Sequence, residues 1–190
     1  MGREKAQLRL GKLSLLGHIR RTVAALGLPV RIIRRDLVAK CGPLGGIYTA
    51  LKTSRADAEL FLACDMPFVS AALLERLVLR LGRQRSPVFA VSDDGVGFPF
   101  LLTVGSLSVV EQQIKAGRFS LQELANALPA KLLRVPRQQA VELSNVNTEA
   151  DWETARVMFN RRSSRAGAGP TMRILTRSPH VRKNPGKRPL

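Results

Sequence analysis

The stretch ELFLACDMP, residues 59–67, limits the fold more than any other part of this sequence. An apolar run over 59–64 reads as a buried strand, Asp65 ends it, and Pro67 forbids its continuation because proline cannot donate to a sheet ladder. Ser70 follows as an N-cap, AALLERLVLRL as an amphipathic helix, and Gly82 as its stop. A buried strand that ends in an acid and turns into a helix belongs to a layered α/β fold with a largely parallel sheet.

The flanking segments extend that pattern. Leu15, Leu16, Ile19, Val23 and Leu26 recur at helical spacing, and Gly27 stops them. LPVRII over 28–33 is a short β-branched run leading to Asp36. CGPLGG reads as a loop broken by Pro43 and its glycines, with a second helix starting near Gly46. PVFAVS and GFPFLLTV, joined by Asp93, Asp94 and Gly95, predict a hairpin, an antiparallel excursion within the parallel order. SLSVVEQQIKAG and SLQELANAL read as helices, KLLRVP as a strand, and VELSNVN as a closing strand or loop. The last helix is TEADWETARVMF, with Thr148 and Asp151 at capping-box spacing.

A chain of 190 residues, 45% hydrophobic, suffices for one domain with a sizeable core. Aromatic residues make up only 5%, so Leu, Val, Ile and Ala must fill that core. The net charge of +17 attracts polyanions in principle, but nine of the 31 basic residues lie in 161–190, which holds no acid. That tail is expected to be disordered and is a poor guide to function. The remainder offers neither RNA-stacking aromatics nor a DNA-reading motif, so nucleic acid is not an expected partner. Cys41 and Cys64 have no metal-ligand spacing and cannot frame a disulfide scaffold, which predicts a reduced, cytoplasmic setting. No run of about 18 apolar residues suggests a membrane span.

In open α/β sheets ligands bind beyond the carboxyl ends of strands. Asp36, Asp65 and the Asn145-Val146-Asn147 triplet all fall at such ends in this reading. A carboxylate there suits Mg²⁺, which commonly takes one or two protein carboxylates together with substrate phosphates; a plain turn residue is the alternative for Asp65. GPLGG offers unobstructed backbone amides ahead of a helix, a place for a phosphate or base, or simply a turn. It is not a Walker A loop, since no Gly-Lys-Ser/Thr follows. Lys5 is equally a solvated lysine or a phosphate ligand. His18 and His180 lack a catalytic partner, which disfavours nucleophilic catalysis.

Taken in order, MGREKAQLRLGKLSLLGHI, GPLGGIYTAL, ELFLACDMPFVSAALLERL, GFPFLLTV and NVNTEADW resemble the molybdenum cofactor guanylyltransferases and related small nucleotidyltransferases, over roughly residues 1–158. The resemblance implies a three-layer α/β/α sandwich with a Rossmann-like, mostly parallel sheet, formed by a nucleotidyltransferase-like domain at 1–160 followed by the tail at 161–190. It implies transfer of GMP from GTP to a molybdopterin-type cofactor with release of pyrophosphate, assisted by Mg²⁺. Molybdoenzymes or their chaperones are possible partners, and a CTP-using relative or a noncatalytic cofactor-delivery protein are the alternatives. By position, Lys5 corresponds to the nucleotide-phosphate lysine and Asp65 to the Mg²⁺-binding aspartate. Asp36, Gly45 and Gly46 fall in the nucleotide site, and Asn145 and Asn147 near the reacting phosphates and acceptor.

The family's phosphate loop reads Leu-Ala-Gly-Gly-x-Ser-x-Arg-Met-Gly-x-Asp-Lys, and this chain carries its final part with Glu4 in place of the aspartate. The resemblance therefore implies that Met1 is an internal methionine of a longer protein whose first strand precedes it; the alternative is a truncated product that folds poorly or binds without catalysing. Relatives also carry a further strand and helix before the position of Asp36, so the choice of base stays open.

Overall fold

The computed structural model describes residues 7–167. They start with a small hairpin, β1 (Arg9–Leu10) and β2 (Leu13–Ser14), turned through Gly11 at φ 66°. Ser14 then caps helix α1 (Leu15–Ala24): its hydroxyl accepts from the Gly17 amide at 3.0 Å, an N-cap worth about 1 kcal/mol. Gly27, in the left-handed region at φ 65°, lets the chain leave the helix where the sequence predicts.

Helix α2 spans Pro43–Thr53 and leads through 54–57 into β3 (Ala58–Phe61). Ser70 caps α3 (Ala71–Leu81) as expected, its hydroxyl accepting from Leu73 N at 3.1 Å. The hairpin strands are β4 (Val88–Ser92) and β5 (Gly95–Thr103), with Asp93 and Asp94 at the turn. A 3₁₀ turn (Val104–Ser106) precedes α4 (Leu107–Lys115), and α5 (Leu121–Ala127) and β6 (Lys131–Arg134) follow. A second 3₁₀ segment (Arg137–Leu143) leads to the last helix, α6 (Glu149–Gly167).

The main sheet has the order β3-β5-β4-β6. β5 is antiparallel to β3 and β4, while β6 is parallel to β4. Three strands thus point one way and β5 alone opposes them, in line with the expected mostly parallel sheet and its antiparallel excursion. Alternation along the strands divides the core. Val88, Ala90 and Leu101 face α1 and α3 through Ile19, Val23, Leu73, Leu74 and Leu77. Phe89, Phe100 and Leu102 face α2, α4 and α5 through Leu44, Ile47, Leu51, Val110 and Leu124. The result is the three-layer sandwich that the sequence implies. No helix among the described residues is long and apolar enough to cross a membrane.

Four details differ from expectation. Residues 28–33 form no strand; Leu28 and Val30 are exposed and Ile32 and Ile33 only half-buried, leaving the run little surface to pack on, and β propensity is chiefly a packing preference. Arg31 instead bonds the end of α2, at Ala50 O (2.6 Å) and Thr53 Oγ1 (2.7 Å). Pro43, Gly45 and Gly46 do not break regular structure but lie inside α2, because a proline in the first turn gives up an amide that has no helical partner anyway. β3 ends at Phe61, short of the apolar run's end. Helix α6 continues through 161–167, residues the sequence reading gives to the tail; the rest of that tail, His180 included, lies outside the described residues.

Phe100 is fully buried, its ring stacked on Phe61 (centroids 5.1 Å) and Phe89 (4.9 Å). Phe100→Ala is expected to cost about 3–5 kcal/mol, because it removes the ring that joins three strands on one face. Urea unfolding checks this through a lowered midpoint at unchanged slope.

Candidate active site

Beyond β3 the chain turns through Asp65 and is pinned at once by Met66, Phe68 and Val69, all buried. The Asp65 carbonyl accepts a hydrogen bond from the Val146 amide at 2.9 Å, joining two segments far apart in sequence. Val146 is buried among Leu10, Leu15, Phe68 and Ala155, while its neighbours Asn145 and Asn147 are exposed. One main-chain bond therefore sets both asparagines beside the aspartate at the mouth of the sheet. The far side of the triplet is held equally firmly. Asp151 Oδ2 accepts from Asn147 N (2.9 Å) and Thr148 N (2.8 Å), and Thr148 Oγ1 accepts from Asp151 N (3.1 Å). This is the capping box that the sequence spacing predicts.

Asp36, Gly45 and Gly46 form a second cluster. A Cβ added at Gly45 would lie 2.7 Å from Asp36 Oδ2 and 2.9 Å from Val38 O, so the loop rests directly on the first turn of α2. Thr49 Oγ1 clamps it there, accepting from Leu37 N and donating to Gly45 O, each at 2.8 Å. The Asp36 carboxylate thus sits at the electropositive end of α2, where an anion is stabilised by about 0.3–1 kcal/mol. Gly45 is needed for close approach and is buried beneath Asp36, whereas Gly46 is half-buried. The short connection 54–57 makes α2 run back along the sheet, so this cluster lies toward the same sheet end as Asp65.

Next to Asn145 opens a groove of about 600 Å³, within the range of small-molecule sites. The β4–β5 hairpin (Asp94, Val96, Phe98) forms one wall, the 137–144 segment with Arg137 another, and α6 (Thr154, Met158) a third; Phe68, Asn145 and Val146 line it too. Arg137 Nε donates to Asp93 Oδ2 at 2.5 Å, which holds the guanidinium near the rim. Sequence reasoning assigns Asn145 and Asn147 a role but does not foresee the groove, because its walls come from segments read only as a hairpin, a closing strand or loop, and a helix. The doublet of acids in the hairpin turn was the one available signal.

Cys64 is an exposed residue, yet its thiol is pushed up from the ordinary value, first by partial enclosure and then by the charge of Asp65 beside it. It is therefore a protonated thiol at neutral pH and a poor nucleophile. No group of three or more His, Cys, Asp or Glu side chains among the described residues forms a metal cage. Lys5 lies outside the described residues.

Residues 1–132 match the family model of the MobA-like NTP transferase domain. A "Probable molybdenum cofactor guanylyltransferase" of Flavobacterium johnsoniae is 31% identical over 114 residues, 60% of this chain and 60% of the relative; the match thus spans less than two thirds of the relative's length. A similar fold is found in molybdopterin-guanine dinucleotide biosynthesis protein A of Archaeoglobus fulgidus (TM-score 0.64, 19% identity, covering 85% of this chain and 95% of that one). It is also found in a Mycobacterium tuberculosis protein in complex with manganese (TM-score 0.54, 18% identity, 82% and 93%).

Gly45→Ala is expected to lose about 1–3 kcal/mol of stability, since Val38 O is main chain and cannot swing aside. Gly46→Ala, whose added Cβ would meet Asp36 Oδ1 at an ordinary 3.5 Å, should match the parent or exceed it slightly. Parallel thermal melts of the two variants separate these outcomes.

Proposed function

The chain belongs to the MobA-like NTP transferase domain family, and from that premise we propose that it transfers GMP from GTP to a phosphate of a molybdopterin-type cofactor, releasing pyrophosphate. The observation that carries this reading is the Val146–Asp65 main-chain bond, which brings the Asp65 turn against the 145–147 segment, whose Asn145 and Val146 line a groove large enough for a bicyclic acceptor. The names borne by the Flavobacterium and Archaeoglobus relatives point to the same chemistry.

In this reading an oxygen of the acceptor phosphate attacks the α-phosphorus of the nucleotide. The bond from that phosphorus to the bridging oxygen breaks, and pyrophosphate leaves with the electron pair. The protein's share is alignment and charge neutralisation, and no strong base is needed. Asn145 and Asn147 offer amide donors to the acceptor phosphate and the α-phosphate. The apolar wall of Phe68, Val96, Phe98 and Val146 suits the flat face of a heterocycle, and Arg137 at the rim suits an anionic group of the acceptor. Asp36, Gly45 and Gly46 form the nucleotide side, and Lys5 contributes a charge to the phosphates.

Asp65 belongs to no group of three or more His, Cys, Asp or Glu side chains among the described residues, which suits a divalent cation shared with substrate phosphates better than one enclosed by protein ligands. Such a cation, Mg²⁺ in this proposal, would neutralise charge on the triphosphate when bound; the manganese held by the mycobacterial protein of similar fold is compatible with that.

Asp65→Asn keeps the carbonyl that receives the Val146 amide, so its melting temperature should stay close to the parent's. Its pyrophosphate release from GTP, with a molybdopterin-type acceptor and Mg²⁺, should fall by about 100-fold or more. Undiminished turnover in Asp65→Asn would overturn the assignment. A parent protein that carries cofactor to a molybdoenzyme without consuming any nucleotide would instead establish the delivery function. Arg137→Ala should raise KM for the acceptor by about tenfold and leave KM for GTP unchanged, as steady-state kinetics with each substrate varied would reveal.

A further inference from the structure

We propose that Asp94 is the specificity-determining residue of the groove: its carboxylate reads a 2-amino-4-oxopyrimidine edge, the pair of N–H donors that a pterin and a guanine share. Which ligands present that edge follows from the transferase reading above, on which this assignment rests. The β4–β5 turn carries two acids in succession, and the fold sorts them. Asp93 is taken by two arginines: its Oδ2 accepts from Arg137 Nε at 2.5 Å, and its Oδ1 lies 3.5 Å from Arg134 Nη1. Asp94 lines the groove, and its carboxylate enters no hydrogen bond or ion pair among the described residues. With both arginines held on Asp93, neither is paired with its neighbour.

The turn is held in place from three directions. Asp94 N donates to Ser92 Oγ at 3.2 Å, within the turn itself. Val96 N donates to Gln122 Oε1 of α5 at 3.3 Å, and Gln122 Nε2 is in turn fixed on Asn126 Oδ1 at 3.1 Å. The third anchor is the Asp93 bridge to the segment that follows β6. Beyond the turn, Asp94, Val96 and Phe98 are spaced two apart, which sets them on one face of the extended chain, and all three line the groove. Two residues along a strand advance about 6.6 Å, close to the width of a fused bicyclic ring. A heterocycle lying on Val96 and Phe98 therefore presents its edge to Asp94.

The carboxylate selects that edge by donor and acceptor matching. Ionised, it only accepts, and its two oxygens take two parallel N–H bonds. The exocyclic 2-amino group and the adjoining ring N–H of a pterin or a guanine are such a pair. Replacement of the amino group by an oxo group, as in lumazine or in xanthine, sets an acceptor against an acceptor. A site that offers only acceptors rejects the oxo analogue through this mismatch, although the two ligands have the same shape.

Isothermal titration calorimetry of the full chain with pterin and lumazine, and with GTP and XTP, tests the assignment. Pterin is expected to bind about tenfold or more tighter than lumazine, and Asp94→Asn to bring the two within about twofold. Asp94 is exposed, so the variant should fold like the parent. A preference for GTP over XTP that Asp94→Asn removes, with pterin and lumazine bound alike, would identify the nucleotide base as the source of the edge. A preference left intact by Asp94→Asn, or no preference within either pair, would overturn the proposal. A parent that tells pterin from lumazine through Asp94 but transfers no nucleotide would sink the transferase reading and leave this assignment standing. Turnover without any such discrimination would do the reverse.

Discussion

The fold depends on β5. It is the one strand that opposes the others, it pairs on both edges, and its alternation serves both cores: Leu101 turns toward α1 and α3, Phe100 and Leu102 toward α2, α4 and α5. An antiparallel strand placed between two codirectional ones lets β3 and β4 sit two positions apart while joined through α3. The carboxyl ends of β3, β4 and β6 are thereby kept on one side of the sheet. That side receives the Asp65 turn, and the same hairpin that supplies β5 supplies a wall of the groove.

The site is assembled with little help from side-chain chemistry. A single amide-to-carbonyl bond joins Val146 to Asp65, and the buried side chains on either side of it, Met66, Phe68 and Val146, decide which groups remain outside. The polar residues on either side of this bond are each flanked by a hydrophobic anchor: Asp65 by Met66, and both asparagines by Val146. A polar group at such a place is positioned by the burial of its neighbour, which explains why a shallow surface can hold a fixed geometry.

The sequence made the layers legible because strand-turn-helix units carry their own punctuation. Ser70, Gly27, Gly82 and the Thr148–Asp151 pair all act at the positions their chemistry predicts. It misled where a local preference lacked its tertiary partner, as over 28–33, or where a residue's position in a helix reverses its usual meaning, as with Pro43. Asp36 and Gly45 were each recognisable as site candidates, Asp36 after an expected strand and Gly45 in a glycine-rich segment. Their close approach, the reason a glycine is required there, depends on the placement of Val38 and Thr49 and has no signature along the chain. The groove stayed hidden for a related reason: its hairpin wall at 92–98 and its other walls from 137 onward are about forty residues apart in sequence.

Helix α6 unites these features. Asp151, Thr154, Ala155 and Met158 recur at helical spacing on the face that lines the groove, while Trp152 and Phe159 lie on the face that packs against the N-terminal hairpin and α1. The residues sort by face because a helix repeats every 3.6 residues, and side chains three or four apart share a surface. The capping box that starts this helix is also the bracket that holds Asn147, so the site and the hairpin clamp share one rigid element. A shift of α6 along its axis would have to break the cap, move Phe159 off Gly11 and reshape the groove together. The sequence-distant start and end of the described chain are in this way tied mechanically to the groove between them.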